Sequence, residues 1–127
     1  MEDGARAVIA VVDDQSSVRS SLARLLRSAD YVPAKYPSGQ EFLDALDSAP
    51  PDCVILDLRM PGLNGFEVLA RLALREPRLP VIVLTSYPSA EAKERAMAEG
   101  VAAFLTKPVD RIVLLEAVQR AVEASDR

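Results

Sequence analysis

The feature that most constrains this chain is a set of short, unbroken apolar runs: AVIAVV at 7–12, CVIL at 53–56, PVIVL at 80–84 and AAFL at 102–105. None alternates polar with apolar residues as a strand with one wet face would, so each reads as a strand covered on both sides. A fifth run, YVPAKY at 31–36, carries Pro33, whose missing amide belongs on a sheet edge. Between the runs the period becomes helical. Residues 16–29 place Val18, Leu22, Leu25, Leu26 and Ala29 on one stripe behind the capping candidates Ser16 and Ser17. Ser38 and Glu41 have capping-box spacing ahead of Phe42, Leu43 and Leu46, and Val68, Leu69 and Leu72 recur helically within 65–75. A helix over 89–99 opens at Ser89 and stops before Gly100; a last one starts near Asp110 and carries Val113, Leu114, Ala117, Val118 and Ala121.

Strict strand–helix alternation with right-handed crossovers predicts an α/β (βα)5 fold, a doubly wound parallel sheet. With the Pro33 strand at an edge the natural order is 2-1-3-4-5. A chain of 127 residues has room for one such domain, with a core of about 7–123. Ligands of these sheets sit at the carboxyl ends of the strands, beside the switch point between strands 1 and 3.

Composition removes whole classes of chemistry. The chain has no histidine, which excludes imidazole acid–base catalysis, Ser-His triads and His-ligated metals. Cys53 is the single cysteine, so there is neither an intrachain disulfide nor a thiolate cluster; within CVIL it reads as a small buried hydrophobe. A net charge of −4 without a Lys/Arg run argues against direct nucleic-acid binding by this domain. The apolar runs are too short to span a bilayer, and Met1-Glu2-Asp3-Gly4 lacks the basic start of a secretion signal, so a cytoplasmic protein is expected.

The predicted strand ends carry what remains. Strand 1 ends in Asp13-Asp14, strand 3 in Asp57, strand 4 in Thr85-Ser86, and strand 5 runs into Thr106-Lys107-Pro108. Taken singly, an Asp after a strand is commonly a helix cap and a Lys is commonly solvated surface. Converging at one switch point, they form a site. Two carboxylates about 4 Å apart repel by roughly 4 kcal/mol at an effective dielectric of about 20, so a bare cluster works against itself. A hard divalent cation relieves it, and an all-oxygen set suits Mg²⁺, with Mn²⁺ able to substitute. Lys107 adds a point charge suited to a phosphoryl group, and Thr85 a hydroxyl donor.

The stretches VVDDQSSVRSSL, VILDLRMPGLNGFEVL and VIVLTSYPSAEAKERAMAEGVAAFLTKPV resemble the receiver domain of two-component response regulators, nearest the branch of nitrogen-fixation and nitrate regulators. The likeness covers about residues 8 to 122. It implies a flavodoxin-like (CheY-like) fold and a phosphorylation-activated switch in which Asp57 accepts a phosphoryl group from the phosphohistidine of a sensor histidine kinase. It further implies that Asp14, Asp57 and the backbone carbonyl of Arg59 hold Mg²⁺, with Asp13 acting mostly through water. Lys107 would pair with Asp57 and then with the acyl phosphate; Thr85 and the Ser86 amide would bind that phosphate. Phe104 stands at the aromatic switch position, where a Tyr is frequent, and Pro108 follows the lysine across a cis bond. Arg59 and Tyr87 occupy positions that tune dephosphorylation, where bulk would shield the acyl phosphate; as plain exposed loop residues they would do nothing of the kind. Phosphorylation would repack the helix 4, strand 5 and helix 5 face.

The competing readings are weaker. A Mg²⁺-dependent phosphohydrolase of the haloacid-dehalogenase type needs a second Asp two residues after the nucleophile, where Arg59 stands. Neither GxGxxG nor GxxxxGK[ST] occurs, which argues against nucleotide binding. A phosphorylation-independent docking module would not need the full acceptor set. No enzyme activity beyond self-phosphorylation and self-dephosphorylation is expected. The chain ends at EASDR, shortly after the last helix, so no output domain is expected within it, whether it is a stand-alone receiver or, as the branch favours, part of a longer regulator. A phosphorylation-dependent homodimer through helix 4 and strand 5 would use Ala92, Ala96, Ala102 and Ala103, although these alanines fit the domain's own packing better.

Overall fold

The computed structural model describes residues 6–125; Met1-Glu2-Asp3-Gly4 and the last two residues of EASDR, both interpreted above, lie outside them. Ten elements alternate: β1 (Val8–Val12), α1 (Ser16–Ser28), β2 (Val32–Tyr36), α2 (Gly39–Leu46), β3 (Cys53–Leu56), α3 (Gly65–Leu72), β4 (Val81–Thr85), α4 (Ala90–Ala98), β5 (Ala103–Thr106) and α5 (Arg111–Ser125). The strands form one parallel sheet in the order β2-β1-β3-β4-β5, as expected. Pro33 lies on the edge strand β2, opposite Ile9.

The unbroken apolar runs make sense because each strand feeds two cores. Ala10, Val12, Val54, Leu56, Val81 and Val83 point to one face, where they meet Phe42 of α2, Val68 and Leu72 of α3 and Ala96 of α4. Ile9, Val11, Cys53, Ile55, Ile82 and Leu84 point to the other, against Leu22 and Leu26 of α1 and Leu114, Ala117 and Val118 of α5. Alternate residues thus serve opposite layers, which is why no polar position interrupts the central strands.

Helix ends follow capping chemistry, with one correction. The Ser38 hydroxyl accepts from Glu41 N, the Ser89 hydroxyl from Ala92 N, and Asp110 Oδ1 from Ile112 N and Val113 N. Asn64 and Glu67 form a full capping box at α3 that the sequence reading passed over. Ser16 and Ser17, by contrast, do not cap α1. The N-cap is Gln15, without a side-chain bond, and its amide is taken by Asp13 Oδ1 at 2.9 Å, because the strand-end carboxylate is already in place there. Val113, counted above in the buried stripe of α5, is 44% exposed, since that helix packs on the sheet through Leu114, Ala117, Val118 and Ala121. Helix α4 is the most lightly held: Ala96 is its one buried residue. The Arg95 guanidinium sits 4.1 Å from the Phe66 ring centroid and ties α4 to α3.

Two glycines shape the turn after β3. Gly62 has φ +76°, a left-handed conformation that side chains avoid. Gly65 opens α3 so close to the strand end that an added Cβ would lie 2.6 Å from Leu58 Cα and 2.7 Å from Asp57 O. These are backbone atoms and cannot rotate away. Gly65→Ala is therefore expected to destabilise the domain by about 1–3 kcal/mol through overpacking, read as a lower urea midpoint; an unchanged midpoint would contradict this close approach.

Candidate functional site

Strand register builds the site. Val12 pairs with Leu56, so the next residues, Asp13 and Asp57, leave the sheet side by side, and Asp57 N donates to Val12 O at 3.0 Å. Thr85 pairs with Thr106, and Lys107 N donates to Thr85 O at 2.8 Å, which brings the lysine to the same rim. One carboxylate oxygen from each of Asp13, Asp14 and Asp57 lies within 4.8 Å of the others. Asp13 and Asp57 are 3% and 6% exposed, while Asp14 faces solvent.

Lys107 Nζ bridges the two buried carboxylates unequally, at 2.8 Å from Asp13 Oδ2 and 3.5 Å from Asp57 Oδ2. The resemblance led us to expect Asp57 as its partner; the shorter bond goes to Asp13. The electrostatics follow from that geometry. Burial raises the Asp57 pKa; the Arg59 N–H bond and the Lys107 charge lower it, the Asp13 charge raises it, and the net shift is upward. For Lys107, burial favours the neutral form, but the bond to Asp13 and the charges of Asp57 and Asp13 outweigh it, so its pKa lies above the usual value. The ammonium is therefore fixed in place, and burial leaves Asp57 with a raised affinity for protons. Cys53 plays no part: burial is the main cause that pushes its thiol pKa up to about 12, so it stays protonated.

The remaining expected residues are distributed around this centre. Thr85 is fully buried, and its Oγ1 accepts from Tyr87 N at 3.2 Å. Arg59 approaches Asp57 through its amide, which donates to Asp57 Oδ1 at 3.2 Å. Its guanidinium lies 4.5 Å from the Tyr87 ring centroid, joining the loops after β3 and β4. Arg59 and Tyr87 are exposed, yet they are not independent loop side chains. They line a groove of about 560 Å³ together with Met60, Phe66 and Thr85. Ser86 is exposed and Pro108 follows a cis bond; with Lys107 they border a second groove, of about 720 Å³, against α1. Phe104 is half-buried against the α2–α4 core. Of the alanines considered for a dimer, Ala96 is fully buried and Ala103 packs against the α1/α5 core, while Ala102 is exposed.

Two contacts were absent from the sequence reading. The Arg59–Tyr87 stack joins residues far apart in sequence, and nothing in their spacing announces it. Arg19 Nη1 donates to Asp13 O at 2.6 Å; the one available signal was a cation in the opening turn of α1, against the helix dipole.

The donor set fits a small hard cation. It is all oxygen, its three carboxylates are offset by Lys107, and Asp14 leaves a wet side where water can complete the coordination. A consequence can be measured without metal. Because the folded-state pKa of Asp57 is raised, ionising it opposes folding at all pH values above the ordinary carboxylate value of 3.8, and the penalty vanishes below that value, where both states are protonated. Asp57→Asn should accordingly be more stable to urea than wild type at neutral pH without Mg²⁺, and the advantage should disappear on acidification. Equal stability at neutral pH would contradict the upward shift.

Among the described residues no helix is long and apolar enough to cross a membrane. The family model for the response regulator receiver domain matches residues 9–119. The chain is 38% identical over 117 residues to the DNA-binding transcriptional regulator NtrC of Escherichia coli K12, covering 92% of this chain and 25% of that protein. It is 37% identical to the transcriptional regulatory protein FixJ of Azorhizobium caulinodans, covering 91% of this chain and 54% of that one. The chain thus spans about a quarter to a half of the length of these regulators. A response regulator receiver protein from Burkholderia phymatum superposes with a TM-score of 0.82 at 42% identity, covering 93% and 96% of the two chains. Fold, strand-end site and these likenesses agree: the chain belongs to the response regulator receiver domain family of two-component systems, signalling switches with the CheY-like fold.

Proposed function

We propose that Asp57 is the acceptor of a phosphoryl group from the phosphohistidine of a sensor histidine kinase, and that the modified domain repacks its α4–β5–α5 face to control an output domain or partner protein. The observation that carries this reading is the pairing at the rim: a nearly buried carboxylate whose pKa is raised, beside a fixed ammonium and two further carboxylates within reach of one cation. The transfer breaks the donor's N–P bond and forms an O–P bond to Asp57, giving a mixed anhydride. Bound Mg²⁺ supplies charge neutralisation on the transferring oxygens. Asp13, Asp14, Asp57 and the Arg59 carbonyl would hold it. Lys107 turns from Asp13 toward the new phosphate, which adds about one negative charge to the site. The Thr85 hydroxyl and the Ser86 amide then become its donors, and the space Thr85 leaves is filled by Phe104. Having no hydroxyl, Phe104 is driven by packing alone.

The light hold on α4 supports that repacking, because one buried alanine and one Arg95–Phe66 contact are what must give way. The net charge of −4 supports protein partners rather than direct nucleic-acid contact by this domain. A phosphorylation-dependent dimer through α4 and β5 remains compatible with the exposed Met97 and Ala102.

Acetyl phosphate with Mg²⁺ should add one phosphoryl mass to the wild-type protein and none to Asp57→Asn; modification of that variant would overturn the acceptor assignment. The Arg59–Tyr87 stack lines the groove beside Thr85 and would slow the approach of water to the acyl phosphate. An exposed cation–π contact contributes about 0.5–1 kcal/mol, so Tyr87→Ala should shorten the phosphoform lifetime by about two- to fivefold. An unchanged decay rate of the phosphorylated protein would remove that shielding role.

A further inference from the structure

We infer that Arg19 is a positioning residue for the metal site, fixing the Asp13–Asp14 peptide so that both carboxylates reach one cation. The inference rests on the Mg²⁺-assisted reading above. All four polar atoms of Asp13 are engaged: N donates to Tyr36 O at 3.2 Å, Oδ1 accepts from Gln15 N at 2.9 Å, Oδ2 accepts from Lys107 Nζ at 2.8 Å, and O accepts from Arg19 Nη1 at 2.6 Å. Two of these bonds occupy carboxylate oxygens, the same atoms a cation would recruit, and the Lys107 bond is one the phosphoryl group competes for. The Arg19 bond holds the backbone without using a carboxylate oxygen. It acts on the peptide that leads into Asp14, whose side chain is exposed and gains no rigidity from burial. A charged guanidinium also bonds such a carbonyl more strongly than a neutral donor would.

The location argues for a specific task. Arg19 is the fourth residue of α1, where a positive charge works against the helix dipole, and it stands beside a site that must attract another cation. If its charge were what mattered to the metal, removing Arg19 would tighten Mg²⁺ binding. If its grip on the loop dominates, removal weakens binding. The two effects have opposite signs, so one titration separates them.

The test is an NMR titration of backbone amides with MgCl₂ at constant ionic strength on wild type, Asp14→Ala, Arg19→Ala, Arg19→Met and Arg19→Lys. Methionine keeps the length of the stem but removes every donor, and it substitutes for alanine if Arg19→Ala does not fold. The expected result is a dissociation constant about tenfold higher for the Arg19 variants, the lower end of what groups orienting metal ligands contribute, with Arg19→Lys closer to wild type. A dissociation constant equal to or below that of wild type in a folded Arg19 variant overturns the inference, even if its melting temperature has fallen. Absence of Mg²⁺ binding by wild type, or its persistence in Asp14→Ala, overturns the metal-site reading itself and this inference with it.

Discussion

Everything at the functional rim depends on the parallel pairing of β1 with β3. Val12 opposite Leu56 sends Asp13 and Asp57 out of the sheet next to each other, and the chain cannot separate them without breaking a fully buried ladder. Two adjacent carboxylates in such a place are costly in the absence of a counter-charge. Lys107, brought in by the neighbouring pairing of β4 with β5, meets that demand in part, closer to Asp13 than to Asp57, and burial, which outweighs its charge, leaves Asp57 with a raised affinity for protons. In the proposed acceptor role a phosphoryl group would replace that carboxylate charge by a covalent bond, with a cation balancing the incoming charge. Backbone register, desolvation and chemistry are thus consecutive steps of one constraint.

Much of this was legible beforehand, for identifiable reasons. The central strands declared themselves because both of their faces are covered, so CVIL and VIVL contain no polar interruption to confuse the period. Pro33 marked β2 as an edge by subtraction of one amide. The strand-end residues Asp13, Asp14, Asp57 and Lys107 could be brought together by topology alone, because strand order decides which tips adjoin. What stayed hidden were contacts made by long side chains. Arg19 reaches back six residues to a carbonyl, and Arg59 crosses to Tyr87 over a different loop; neither reach follows from periodicity or spacing. The mistaken cap at Ser16 and Ser17 has a different root: α1 begins one residue earlier than the serines suggest, with Gln15 as N-cap and its amide bonded to Asp13 Oδ1.

Helix α4 carries the opposite lesson. Its sequence, AEAKERAMA, is a good helix former with little apolar surface, so it forms readily yet adheres weakly. Local propensity keeps it helical while the sheet holds it through Ala96. An element of that kind can change position without unfolding. The Arg95–Phe66 contact ties it to α3.

The sheet also acts as a partition. Side chains of one parity serve the α2–α4 layer and those of the other parity serve the α1/α5 layer, and the two clusters have no residue in common. Movement of α4 above the sheet therefore need not be felt by α1 below it, so the α1 surface can keep a constant shape while the proposed α4–β5–α5 edge changes its outline. One small domain can in this way present two addresses, a permanent one and a conditional one.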